Sequence, residues 1–253
     1  MTSGSRVPVT VRQTALPGAP CPRPPKPPNP PASPVPVRRA DAKTPVPGPD
    51  TPALRPAVFL DRDGTLTEPR HYPSHPDELF LRPGIGVPLR ALADRGLALV
   101  VVTNQSGVAR GLFDLVTLEA MHHRLRALLD RRGVRLDGIY ACPHHPEAPL
   151  SRYRTVCTCR KPAPGMLHRA AHDLGLDLTR SWMVGDSPCD IGAGLRAGTR
   201  TAFVGHEPFG DMRHPTTAQA LHNVLRAHTH RPQDRRSREC WPEPAVATTP
   251  RTS

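Results

Sequence analysis

Long apolar runs are missing from this 253-residue chain. No stretch approaches the ~18 residues that a membrane-spanning helix needs, and the N-terminal region lacks the continuous apolar core of a secretory signal. A cytoplasmic protein with no membrane partner is therefore expected. Acidic residues are scarce beside basic ones, 22 against 34, for a net charge of +12. Half of that excess, +6, lies in residues 1–55. The basic character thus belongs mainly to a peripheral arm and not to a surface that reads nucleic acid, so no nucleic-acid partner is expected. Cysteine is also sparse, with six residues at 21, 142, 157, 159, 189 and 240. Three of them fall between 142 and 159 beside histidines, which in a reducing compartment points to a metal and not to disulfides.

Proline is plentiful and uneven, with 17 of 34 in residues 1–56. Such a segment buries too little apolar surface to offset its ordering entropy. Residues 1–55 are predicted to be a disordered arm and 56–206 a folded domain. Residues 207–253 are predicted to be a mostly disordered basic tail with a short helix at 218–227, and Cys240 is a spectator there.

Within 56–206, short apolar runs predict strands at Ala57–Leu60, Leu97–Val102, Gly138–Ala141, Ser181–Gly185 and Thr201–Val204, with a brief strand at Leu79–Leu81 in a proline-studded loop. Helices are predicted over Val87–Arg95 closed by Gly96, over Leu115–Arg132, over Pro164–Leu174 closed by Gly175, and up to Ala197. Leu118, Met121, Leu125, Leu128 and Leu129 form the apolar stripe of the second helix, leaving His122 and His123 to be expected at its surface. Alternation of strands and helices is the pattern of an α/β fold, a Rossmann-like parallel sheet covered by helices on both faces.

Chemistry gathers at predicted strand ends, where such sheets bind ligands. The first strand runs into Asp61-Arg62-Asp63-Gly64-Thr65 and the second into Thr103-Asn104-Gln105-Ser106. Arg160-Lys161-Pro162 follows the cysteine-rich loop, and the fourth strand exits into Asp186 with Asp190 four residues on. A threonine hydroxyl with neighbouring amides suits a phosphate. Carboxylates brought close repel by about 4 kcal/mol per pair at ~4 Å and an effective dielectric near 20. A hard divalent cation relieves that repulsion, and magnesium suits oxygen donors. In the loop 142–159, Cys142, His144, Cys157 and Cys159 make a closed tetrahedral donor set of the kind that holds structural zinc. His145 is the alternative to His144.

Taken together, Asp-x-Asp-Gly-Thr, the strand-end Thr103, Lys161 and Gly-Asp-x-x-x-Asp resemble, in order, the motifs of haloacid dehalogenase (HAD)-type phosphatases of the capless kind. The resemblance implies that Asp61 is the nucleophile and that Asp63 is the acid/base, which also lends magnesium its backbone carbonyl. It implies further that Thr103 and Lys161 clamp the phosphoryl group, that Asp61 and Asp186 ligate magnesium, and that Asp190 supports that shell. Thr-Asn-Gln-Ser-Gly-x-Ala-Arg-Gly with Cys-x-His and Cys-x-Cys-Arg-Lys-Pro is similar to the D-glycero-D-manno-heptose 1,7-bisphosphate 7-phosphatase branch. That likeness implies a small phosphorylated sugar as substrate, with Arg160, Asn104, Gln105 and Ser106 contacting it, and a monomer is expected. Histidinol phosphate and a polynucleotide 3′-phosphate are the rival substrates. A zinc-dependent nucleic-acid-binding module is the rival class, and the intact acidic quartet argues against it, because two of those aspartates would face a phosphodiester backbone unscreened.

Overall fold

Four consecutive apolar residues, Ala57–Leu60, form the first strand, β1, and all four are buried. Val58 and Leu60 enter one hydrophobic core while Ala57 and Phe59 enter another, as the two-residue period of a strand covered on both faces requires. In this computed structural model residues 53–70, 72–207 and 209–229 are described. The expectations for the arm before residue 53, for the residues after 229 and for Cys21 and Cys240 fall outside them.

The other strands are β2 (Ala98–Asn104), β3 (Gly138–Cys142), β4 (Trp182–Gly185), β5 (Arg200–Val204) and β6 (Met212–His214). All pair in parallel, in the order β3-β2-β1-β4-β5-β6. The α-helices are α1 (Gly86–Asp94), α2 (Ser106–Ala109), α3 (Leu115–Asp130), α4 (Gly165–Leu174), α5 (Pro188–Ala197) and α6 (Thr217–Thr229). Helices α1, α3 and α6 send Leu89, Leu92, Leu118, Met121, Leu125, Leu221 and Val224 into the core with Val58 and Leu60. On the opposite face α4 and α5 send Met166, Leu167, Ala170, Ala193 and Ala197 against Ala57 and Phe59. Each fully buried Leu or Met is worth about 1.5–3 kcal/mol of transfer free energy, and both faces of the sheet are covered by such residues.

From β1 the chain winds outward through β2 and β3, then returns to the other side of β1 for β4, β5 and β6. The strand order therefore reverses between β1 and β4, and the crevice at their carboxyl ends is where an open α/β sheet binds its ligand.

Three expectations require correction. The brief strand at Leu79–Leu81 is instead a 3-10 turn over Pro76–Glu78 and a single antiparallel bridge from Thr67 to Leu81; prolines at 73, 76 and 83 interrupt any longer ladder. Residues 207–229 are not mostly tail: β6, which was not expected, extends the sheet beside β5, and the helix expected at 218–227 is α6, which buries Ala220, Leu221 and Val224. Met212–His214 is too short and too polar a strand to show as an apolar run. His122 is buried on α3 and not at the surface, with Nδ1 3.4 Å from Glu119 Oε2.

Candidate active site

β1 ends by delivering Asp61 into the crevice, where its N–H donates to Val184 O of β4 at 3.0 Å. The chain then turns back on itself: Leu66 N and Thr67 N donate to Arg62 O, and Gly64 N to Thr67 O. Gly64 has φ +88, and a Cβ there would stand 2.0 Å from Asp186 Oδ2. Glycine is thus required twice over, for the left-handed backbone and for the approach of the Asp186 carboxylate. Thr65 Oγ1 donates to Asp186 Oδ1 at 3.3 Å, which fixes the β4 exit to the β1 turn.

Lys161 enters from the loop before α4 and is almost wholly buried. Its Nζ lies 2.6 Å from Asp61 Oδ1 and 2.6 Å from Asp190 Oδ1, and it donates to Val102 O at 2.7 Å, which uses all three ammonium protons. The lysine backbone is itself clamped: Asn104 Nδ2 donates to Lys161 O, and Lys161 N donates to Asn104 Oδ1, both at 3.0 Å. Asp190 serves two partners, since its Oδ2 accepts Ser187 N at 3.0 Å in the capping box that opens α5 while Oδ1 faces the lysine. Burial pulls the Lys161 pKa down, but Asp190 and Asp61 outweigh it and the net direction is upward. Desolvation raises Asp61 well above the usual carboxylate range against the opposing pull of Lys161. Desolvation, then Asp190, pushes Asp186 up to about 6.

One oxygen from each of Asp61, Asp186 and Asp190 lies within 4.8 Å of the others. Lys161 offsets one of these three charges, so the buried group carries a formal surplus of two negative charges, and its donors are all oxygen. That composition fits a hard divalent cation. Asp63 does not join the cluster through its side chain. Its carboxylate turns instead to Arg62, whose Nε and Nη2 lie 3.0 Å from Oδ1 and Oδ2, and to Gln105, whose Nε2 lies 2.8 Å from Oδ2.

Thr103 is buried at the end of β2, and its Oγ1 accepts Gln105 Nε2 at 2.8 Å. Gln105 and Asn104, expected to contact substrate, have their amides occupied by protein groups. Ser106 opens α2 and is buried. Arg160 is partly buried and donates through Nη1 to His144 O at 3.1 Å. Arg62, Thr65 and Arg82, which donates to Gly64 O from Nε and Nη2 at 3.2 and 3.0 Å, were not singled out from the sequence. A charged residue between the two aspartates of a buried strand exit was the available signal, because it must find a partner.

Beside β3, Cys142, His144, Cys157 and Cys159 converge. Their sulfurs are 3.2–3.6 Å apart, and His144 Nδ1 lies 3.7 Å from Cys142 Sγ and 3.4 Å from Cys159 Sγ. A tetrahedron with Zn–S of ~2.3 Å has edges of about 3.8 Å, so the cluster is close to that size and slightly contracted. Burial, first, and the Cys159 thiol raise the Cys142 pKa. His145 stands apart, its Nδ1 accepting Glu147 N at 3.1 Å.

A family model described as HAD-hydrolase-like matches residues 158–227. The D-glycero-beta-D-manno-heptose-1,7-bisphosphate 7-phosphatase of Yersinia pestis is 44% identical over 146 residues, covering 58% of this chain and 78% of that protein. A HAD-like phosphatase of Mesorhizobium loti superposes with a TM-score of 0.65 at 38% identity, covering 72% of this chain and 90% of that one. The D,D-heptose 1,7-bisphosphate phosphatase of B. bronchiseptica, complexed with magnesium and phosphate, gives 0.59 at 32% identity, covering 69% and 99%.

Proposed function

Because this chain belongs to the family of D-glycero-β-D-manno-heptose-1,7-bisphosphate 7-phosphatases among the HAD-like hydrolases, we propose that it removes the 7-phosphate of that sugar bisphosphate through a phosphoaspartyl enzyme. The observation that carries this reading is the buried contact of Lys161 Nζ with Asp61 Oδ1 beside Asp186. It supplies a nucleophile, a fixed cation and a dianionic oxygen cluster in one crevice.

Asp61 attacks phosphorus while Asp63 gives a proton to the departing sugar oxygen, and the bond from phosphorus to that oxygen breaks. Water then attacks the phosphoaspartate, Asp63 takes its proton, and the Asp61 carboxylate leaves. Lys161 and the Thr103 hydroxyl hold the phosphoryl oxygens. Asn104 acts on Lys161 from behind, and Arg160, tethered through Nη1 to His144 O, would meet the distal phosphate with its remaining N–H donors, with Ser106 as a further substrate contact. The carboxylates of Asp61 and Asp186 with the backbone carbonyl of Asp63 would hold Mg2+, and Asp190 would support them through Lys161. When bound, that ion neutralises charge on the phosphoryl group. Cys142, His144, Cys157 and Cys159 would hold Zn2+, which leaves no open position for water and so shapes the loop that carries Arg160 and Lys161.

The test is phosphate release from a panel containing the heptose 1,7-bisphosphate, histidinol phosphate and a 3′-phosphorylated oligonucleotide. The highest kcat/KM is expected on the heptose. A preference for either of the others by tenfold or more overturns the substrate assignment.

A further inference from the structure

The side chain of Arg62 is fully buried and takes no part in the steps above, yet a buried guanidinium costs several kcal/mol unless its charge is met. It is met by Asp63 alone among the carboxylates that pair with it in the described residues, through a two-pronged contact of 3.0 Å on each oxygen. Gln105 closes the arrangement into a ring. Its Oε1 accepts Arg62 Nη2 at 2.8 Å, and its Nε2 donates to Asp63 Oδ2 at 2.8 Å and to Thr103 Oγ1 at 2.8 Å. The backbone beneath is locked as well, because Arg62 O accepts from Leu66 N, Thr67 N and Thr67 Oγ1 at 2.9–3.0 Å.

A carboxylate gripped on both oxygens by a planar fork is restricted to one orientation. The fork and the Gln105 amide together leave the carboxylate no other rotamer without breaking these contacts, so the direction in which it meets an attacking water is set by Arg62 and Gln105.

Taking Asp63 as the acid/base, as in the function above, we propose that Arg62, with Gln105, is a positioning residue that aims Asp63 as the base for the second half of the reaction, the hydrolysis of the phosphoaspartate. Its loss slows that half more than the first. The ring also ties Asp63 to Thr103, so the base and one holder of the phosphoryl oxygens are set by the same amide.

The experiment uses full-length protein with Mg2+ and p-nitrophenyl phosphate, whose leaving group departs without a donated proton. Nitrophenolate release is followed by rapid mixing in wild type, Arg62→Met, Arg62→Lys and Gln105→Leu. In Arg62→Met, a first turnover close to the wild-type rate is expected, then steady turnover reduced by about 100-fold, the scale of a misplaced general base, with phosphoenzyme accumulating. Lysine restores part of the loss, and Gln105→Leu shows the same pattern more weakly. A purely structural role lowers the amplitude of the first turnover and the steady rate together, and that result, or no change in either, overturns the proposal. Should Arg62→Met fail to fold, the uncharged Gln105→Leu exchange carries the same comparison. Failure of the Asp61 assignment is recognised separately, by an Asp61→Asn enzyme that still turns over.

Discussion

The hydroxyl of Thr217 donates to the carbonyl of Thr65 across 2.8 Å, joining the first turn of α6 to the turn that carries Asp61 and Asp63. Thr217 is buried, so water cannot readily replace it. Thr217→Val keeps the shape and removes the donor, leaving the Thr65 carbonyl unsatisfied at a cost of about 1–3 kcal/mol. Urea unfolding should show that loss, with kcat falling more than KM changes, and Thr217→Ser should recover both. Wild-type stability in the valine variant would mean that α6 does not support the turn.

His122 gives a pH dependence of stability with a defined sign. Burial, first, and the nearby Arg62 charge lower its pKa from the usual 6.5. The folded protein therefore holds His122 neutral where the unfolded chain has begun to bind a proton. Its contribution is present in full above the unfolded value and is lost as pH falls through about 6.5 towards the lower folded value, by up to ~1.4 kcal/mol per pH unit. Denaturation midpoints at pH 7.5 and pH 5.5 should differ less in His122→Leu than in wild type. An equal difference in both proteins would assign the acid sensitivity elsewhere.

Zinc removal should act on the loop 142–159 before it acts on the sheet. Binding at such a donor set is worth on the order of 10 kcal/mol towards ordering a loop, and Lys161 lies two residues after Cys159. One zinc per chain is expected in the purified protein. A strong chelator, or Cys159→Ser, should lower the melting temperature and abolish turnover while far-UV circular dichroism keeps the signal of the α/β sheet. A zinc-free protein with unchanged turnover would contradict the role given to the four ligands.

The five strands from β1 to β5 could be read along the chain because each is an apolar run bounded by punctuation, and Gly96 and Gly175 stand where α1 and α4 give way, both with positive φ. The carboxylates and Lys161 were legible because the chemistry dictates their residue types. What escaped was interaction between distant segments. Nothing in Met212–His214 advertises a strand until β5 is present to pair with it. His122 reads as a surface residue unless the burial of Arg62 is known. Asn104 and Gln105 resemble substrate contacts in sequence, whereas their amides are bound to Lys161 and Asp63. Polar partners 42 and 57 residues apart leave no periodic trace.

The account rests on Asp61 becoming phosphorylated. Full-length enzyme turning over radiolabelled substrate with Mg2+, quenched in acid within milliseconds and digested, should carry acyl-phosphate label on the peptide containing Asp61. The label should be absent from Asp61→Asn, whose turnover should fall by more than about a thousand-fold. Label on another residue, or an Asp61→Asn enzyme that releases phosphate at the wild-type rate, would contradict it.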